Sequence, residues 1–205
     1  AADKCFIQSR MLNRGKGPAV HSLRVQADRV EYHKYMKKIC EEQANLYVKQ
    51  GEISQIVTEN GKITGVVTSL GAEYSTKCVI IATGTYLKGK IHIGESSFES
   101  GPDSALPSIG LSQSLIDNGI ELRRFKTGTP CRVHKRSIDF SVMERQDGDD
   151  EIVPLSFETN PEILENKVSC YTTYTNSNTH EVIMSNLHRS PLYGGRIEGV
   201  GPRYC

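Results

Sequence analysis

The chain has 205 residues, 37% of them hydrophobic and 24% charged, with a formal net charge of +1 at pH 7. That length suits one large domain or two small ones around a buried core, and the composition is ordinary for a globular protein. The near-zero charge argues against a dedicated nucleic-acid-binding module, and no apolar run approaches the ~20 residues of a membrane-spanning helix. The opening Ala-Ala-Asp-Lys-Cys is neither a secretory apolar stretch nor an Arg-rich presequence, and without an initiating Met the chain is expected to be part of a longer one. The six cysteines include no CxxC pair. That excludes the usual zinc-knuckle and disulfide-scaffold readings and implies reduced thiols in a cytosol-like compartment.

Met11 to Val20 is rich in Gly, Pro and basic residues and reads as an irregular loop. From Asp28 to about Asn45, apolar or aromatic groups at Tyr32, Tyr35, Met36, Ile39 and Cys40 follow steps of three and four, which predicts an amphipathic helix. From Ile53 the period changes to two. A strand over 53–58, an Asn60-Gly61 type I′ turn, a return strand over 63–69 and a polar third strand over 72–76 form a meander. Val79, Ile80, Ile81 and Ala82 then run without a polar residue into Thr83-Gly84, the pattern of a parallel central strand buried on both faces. A second helix is expected over 108–118, capped by Ser108 and stopped at Gly119. The composition changes near Cys131, where a domain boundary is placed. Beyond it, a strand over 168–174 and a helix over 179–188 ended by Pro191 are expected.

Three constellations carry chemistry. The first is the meander followed by Cys78-Val-Ile-Ile-Ala-Thr-Gly84, where Thr83 and Gly84 would let a planar or phosphorylated ligand approach the sheet edge. This order is that of the second cofactor motif in two-dinucleotide-binding flavoproteins; the first motif, GxGxxG, is absent. The second is the basic run Arg123, Arg124, Lys126, Arg132, His134, Lys135 and Arg136, a candidate phosphate or anion surface that a solvated charged face would explain equally well. The third is Gly199-Val-Gly-Pro-Arg-Tyr-Cys205, where an arginine near a thiol favours thiolate, although an inert cysteine satisfies the same residues. His180 reads as part of a helix start capped by Thr175, Asn176 and Thr179. Cys5, Cys40, Cys78 and Cys170 read as buried or neutral.

The strings KGPAV, QADR, ATGTYLKGKIHIG, PSIGLS, FKTGTPCRV, IDFS, CYTTYTN with TH, NLHRSPLY and IEGVGPRYC occur in this order. Together they resemble the large subunit of the tRNA wobble-uridine modifying enzyme, the GidA/MnmG family, across essentially the whole chain. The resemblance implies an α/β fold, part of a glutathione-reductase-like FAD-binding domain over 1–131 with part of an inserted α+β NADH-binding domain over 132–205. It implies a cytoplasmic, dimeric enzyme, of bacterial cytosol or mitochondrial matrix. With a GTPase partner it would add a carboxymethylaminomethyl or aminomethyl group to C5 of the tRNA wobble uridine, using FAD, NADH and a carbon from methylenetetrahydrofolate. By position it places Ile53 at the FAD adenosine and Ser108 at the flavin. Gly201, Pro202, Arg203, Tyr204 and Cys205 fall at the start of an NAD-binding stretch, and Cys205 is a catalytic cysteine. No metal is implied.

Two alternatives stand beside it: a folate- and FAD-dependent tRNA uridine methyltransferase, disfavoured by the TYTN and PRYC segments, and a stand-alone RNA-binding module, disfavoured by the charge. Cys131 replaces a proline common in the family's KTGTPPR string. Because a glycine-rich helix start supplies much of the affinity for a dinucleotide, the 205-residue chain by itself is expected to retain FAD weakly or not at all. Visible absorbance of the purified chain checks this; stoichiometric bound flavin would be the contrary result.

Overall fold

The computed structural model describes residues 1–128, 130–197, 199 and 201. In chain order its elements are β1 (Phe6–Leu12), β2 (Ser22–Ala27), α1 (Arg29–Glu42), β3 (Ile53–Glu59), β4 (Lys62–Thr68), β5 (Glu73–Ser75), β6 (Lys90–Ile93), β7 (Ser96–Glu99), α2 (Gly110–Asp117), β8 (Glu144–Gln146), β9 (Cys170–Thr172) and α3 (Ser177–Ser185). The class is α/β. Its ladders, β1–β2, β3–β4–β5, β6–β7 and β8–β9, are all antiparallel. The chain folds as two compact units, Ala1–Val48 with Val133–Tyr174, and Lys49–Arg132 with Thr175–Cys205.

In the first unit, β1 pairs with β2 from Phe6↔Ala27 to Leu12↔Ser22. Its other edge is closed by chain from far along the sequence. The Asp149 amide donates to the Ser9 carbonyl at 3.0 Å, and the Lys167 amide to the Ile7 carbonyl at 2.8 Å. Side chains complete the seam. Gln8, 1% exposed, donates to the Val168 carbonyl at 2.9 Å. Asn166 accepts the Ser9 amide at 3.0 Å and donates to the Asp149 carbonyl at 2.8 Å, while the Asp149 carboxylate accepts the Met11 amide and the Arg14 guanidinium. Buried polar groups are costly unless bonded, so this seam fixes one arrangement. Asp3 anchors the start of the unit, its carboxylate accepting the Leu155 and Ser156 amides and the Thr159 hydroxyl at 2.9–3.0 Å. Helix α1 begins as expected, with the Asp28 carboxylate accepting the Val30 and Glu31 amides.

In the second unit, the β3–β4 hairpin turns through Asn60 (φ 51°) and Gly61 (φ 75°), the left-handed pair a type I′ turn requires. β5 pairs with β4 alone, so β3 is an edge strand. Helix α2 covers that edge. The Ile56 amide donates to Ser114 Oγ at 2.9 Å, and the Thr58 hydroxyl to Asn118 Oδ1 at 3.0 Å. Ile56, Leu111 and Leu115 form the buried core, with Ile53, Ile63 and Leu87 packed against it.

Several expectations are corrected. Residues 78–83 form no strand, and Ile80 is 93% exposed and Ile81 40%. A strand buried on both faces needs neighbouring strands, and none of the described segments pairs with this one. Cys78, read as buried or neutral, is exposed. Ser108 is not a cap: α2 starts at Gly110 with Ile109 in the cap position and no side-chain cap bond, because the Ser108 backbone is bonded to the loop around Tyr86. β1, β2, β6 and β7 were not anticipated; of the expected loop over 11–20, the first two residues belong to β1. The two units adjoin in sequence at Arg132–Val133, and each is discontinuous, since the seam ties 3–11 to 147–168.

Burial opposes ionisation of Asp3, yet its hydrogen bonds to Leu155, Ser156 and Thr159 outweigh it and hold the carboxyl below its ordinary value. The stabilisation is therefore complete above pH 3.8, the ordinary value, and is lost as pH falls through the lower folded-state value. Asp3→Asn is expected to cost roughly 1–3 kcal/mol at neutral pH, with the gap to the parent shrinking in strong acid. Urea midpoints at the two pH values measure it.

Candidate functional site

The loop after the unpaired Val79–Ala82 run is tightly organised. The Tyr86 amide donates to the Thr83 carbonyl at 3.0 Å and the Gly89 amide to the Tyr86 carbonyl at 3.2 Å. Leu87 and Ser108 form a parallel bridge, in which the Ser108 amide donates to the Tyr86 carbonyl at 3.0 Å and the Lys88 amide to the Ser108 carbonyl at 2.7 Å. Leu87 also packs on the core that Ile53 contacts. The structure thus gathers Ile53, the Thr83–Gly89 loop and Ser108 about one core, although they lie far apart in sequence. The loop residues Tyr86 to Gly89 were missed by sequence reasoning, which stopped at Gly84; the Lys-Gly pair at 88–89 was the available signal.

The residues present fit the rim of a dinucleotide. Gly84 (φ 54°) has open space where a Cβ would stand, and Ile80 and Ile81 present uncovered apolar surface. Residues 78–94 carry Lys88, Lys90 and His92 and no carboxylate. Beside Ile53, a polar groove of about 440 Å³ runs between β3 and α2, lined by Ser54, Gln55, Gly110 and Gln113 among others. Backbone amides, small side chains and cations are what a flavin dinucleotide's adenosine and phosphates engage.

The basic run is divided. Arg123, Arg124, Lys126 and Arg132 belong to the second unit, Lys135 and Arg136 to the first. Arg123 pairs with Glu121 at 3.0 Å. Arg124 donates from Nη1 to the Lys88 carbonyl at 2.7 Å. Lys126 is half-buried and Arg132 exposed. The Arg136 amide donates to His134 Nδ1 at 3.2 Å. Gly199 and Gly201 lie against this ribbon: a Cβ at Gly199 would stand 2.9 Å from the Arg124 carbonyl oxygen, and one at Gly201 would collide with that of Lys126. The second and third constellations therefore meet at their backbones. Pro202, Arg203, Tyr204 and Cys205 lie outside the described residues. His180 accepts or donates at Thr175 Oγ1, 3.0 Å away, at a helix start capped by Asn176. Among the described residues no group of three His, Cys, Asp or Glu is placed to hold a metal.

The first unit holds a second cationic feature, also unanticipated. A groove of about 450 Å³ beside α1 is lined by Lys4, Lys34, Lys38 and Lys167. Its carboxylates are engaged, Asp28 in the helix cap and Glu31 with Lys34 at 2.9 Å. Lys4 and Lys167 are 163 positions apart, beyond any local pattern.

At Gly89 a Cβ would lie 2.5 Å from the Ser100 carbonyl oxygen and 2.7 Å from that of Thr85. Gly89→Ala must displace backbone on one side or the other. It is expected to destabilise the second unit by roughly 1–3 kcal/mol, read as a lowered urea midpoint, and to weaken flavin retention in the full-length protein.

Comparison with known proteins bears on the whole chain. The family model for glucose inhibited division protein A matches residues 1–205. A tRNA uridine 5-carboxymethylaminomethyl modification enzyme MnmG from Clostridium botulinum (strain Hall) is 56% identical over 203 residues, covering 99% of this chain and 32% of that protein. The enzyme of the same name from Clostridium kluyveri is 57% identical over 205 residues, with 99% and 32% covered. The solved structure of Aquifex aeolicus GidA in its form I crystal superposes with a TM-score of 0.87 at 48% identity, covering 99% of this chain and 35% of that one. The chain spans about a third of the length of these relatives. A family model matching the whole length, together with relatives 56–57% identical across 99% of it, settles membership: the chain belongs to the glucose inhibited division protein A (GidA/MnmG) family.

Proposed function

We propose that the protein carrying this chain is the FAD- and NADH-dependent subunit of the enzyme that, with a GTPase partner, modifies C5 of the tRNA wobble uridine. The added carboxymethylaminomethyl or aminomethyl group takes its carbon from methylenetetrahydrofolate, and the protein works as a cytoplasmic homodimer. The observation that carries the reading is the match, across 99% of the chain, to relatives named as tRNA uridine 5-carboxymethylaminomethyl modification enzymes.

The glutathione-reductase-like FAD-binding part is assigned within residues 1–131, and the insert that contributes to NADH binding begins near 132. Ile53, Thr83, Gly84 and Ser108 would hold the FAD rim, with the bare backbone at Gly84 allowing close approach. A flavin held there would supply hydride or electron transfer chemistry. Gly201 to Cys205 begin the nicotinamide stretch.

The chain's own reactive group in this scheme is the Cys205 thiolate. Its sulfur adds to C6 of uracil, and the C5–C6 π pair moves toward C5 and the O4 carbonyl. C5 then bonds to the incoming carbon, after which the C5 proton leaves and the sulfur–C6 bond breaks. Lys126 and Arg132, with Lys135, Arg136 and the lysine-lined groove, are assigned to tRNA phosphates, and Arg123 and Arg124 lie on the same ribbon.

Cys205→Ala in the full-length protein is expected to abolish wobble-uridine modification of tRNA, measured by nucleoside mass spectrometry, while FAD content and tRNA affinity stay near parent values. Normal modification would remove Cys205 from the mechanism. Neutralising Lys126 and Arg132 together is expected to weaken tRNA binding and lower the log–log salt slope by about 2.

A further inference from the structure

Among the described residues, the positive-φ residues other than glycine are Asn13, Asn45, Asn60, Lys88, Asp103 and Ser104. All but one have short side chains of the polar kinds that tolerate this region best. Lys88, at φ 46°, is the exception: its long aliphatic stem gains nothing there. Its peptide groups are held from both sides. The amide donates to the Ser108 carbonyl and the carbonyl accepts from Arg124 Nη1, each at 2.7 Å. The Arg124 stem, although exposed, is flanked on one side by Gly199, where an added Cβ would come within 3.3 Å of Arg124 Cγ. A strained backbone persists only where its surroundings over-determine it, and such sites cluster where ligands are positioned.

We propose that Arg124 is a positioning residue for the cofactor loop. By binding the Lys88 carbonyl it holds Thr83–Gly89 in its left-handed turn against Ser108, so that Gly84 keeps its bare backbone facing a flavin dinucleotide. This rests on the flavin reading above and goes beyond it. It also removes Arg124 from the candidate tRNA contacts, because its guanidinium is directed to main chain within its own unit. An arginine suits this role better than a lysine, since the planar fork reaches a carbonyl in a fixed direction.

The test uses the full-length protein with Arg124→Ala, Lys88→Gly and the double variant. Glycine adopts the left-handed turn without penalty and so needs no brace. Arg124→Ala is expected to speed hydrogen exchange of the Lys88 and Gly89 amides at least about tenfold with the rest of the protein unchanged. It should raise the FAD dissociation constant, read by flavin fluorescence, by about tenfold. Affinity for tRNA at fixed salt should hold. In the Lys88→Gly background, Arg124→Ala should cost much less FAD affinity than it does alone. Unchanged exchange at 88–89, or reduced tRNA affinity with FAD affinity intact, would overturn the proposal. A parent protein that holds no FAD would sink the flavin reading instead, and with it the ligand named here, while the exchange measurement still decides whether the brace exists.

Discussion

An edge strand leaves a row of amides and carbonyls without partners, and in this chain β3 is such an edge. Helix α2 closes it with the buried bond from the Ile56 amide to Ser114 Oγ, and the same helix supplies Leu111 and Leu115 to the core under Ile56. The candidate site depends on this arrangement. Once α2 is fixed against β3, the segment entering it is fixed too, and Ser108 meets the loop around Tyr86 and Lys88. Ile53 and Leu87 pack on the core that α2 completes, and Leu87 bridges Ser108 at the entry to that helix.

The basic run illustrates how charge in a sequence divides by role once folded. Arg123 is neutralised by Glu121, and Arg124 is committed to a main-chain carbonyl. Lys126 is half-buried and Arg132 exposed, and both keep the character of an anion-facing surface. Electrostatic steering draws on cations that remain available, and the formal sum over a run overstates it.

Local elements were legible in the sequence. The three-and-four spacing of Tyr32 to Cys40 announced α1, Asn60-Gly61 announced the hairpin, and Gly119 the end of α2, because periodicity and left-handed turns are written in nearby residues. The order of motifs also identified the family. What was not legible depends on partners distant in sequence. Val79–Ala82 has the composition of a buried parallel strand, but burial is a property of neighbours, and the described residues provide none. β1 and β2 carry Gln8, Ser9, Arg10, Arg24 and Gln26, which obscure a period-two pattern, since Gln8 and Ser9 are buried through bonds to residues more than 130 positions away. Ser108 resembled a cap until the Tyr86 loop took its backbone. The brace at Lys88 needed an arginine 36 positions away, which no local window contains.

The seam along β1 has a consequence for how the protein is made. Its bonds join residues separated by 135 to 160 positions, whereas the β3–β4 hairpin closes through adjacent residues. On a ribosome extending the chain at ~5–20 residues per second, β1 waits roughly 10–30 s for its outer edge to be covered. The second unit's meander can pair during that interval. An open strand edge is a template for wrong partners, and the polar Gln8 and Ser9, with Arg10 beside them, make β1 a poor one. The residues that seal the native edge are thus the same ones that make the open edge a poor template until the seal arrives.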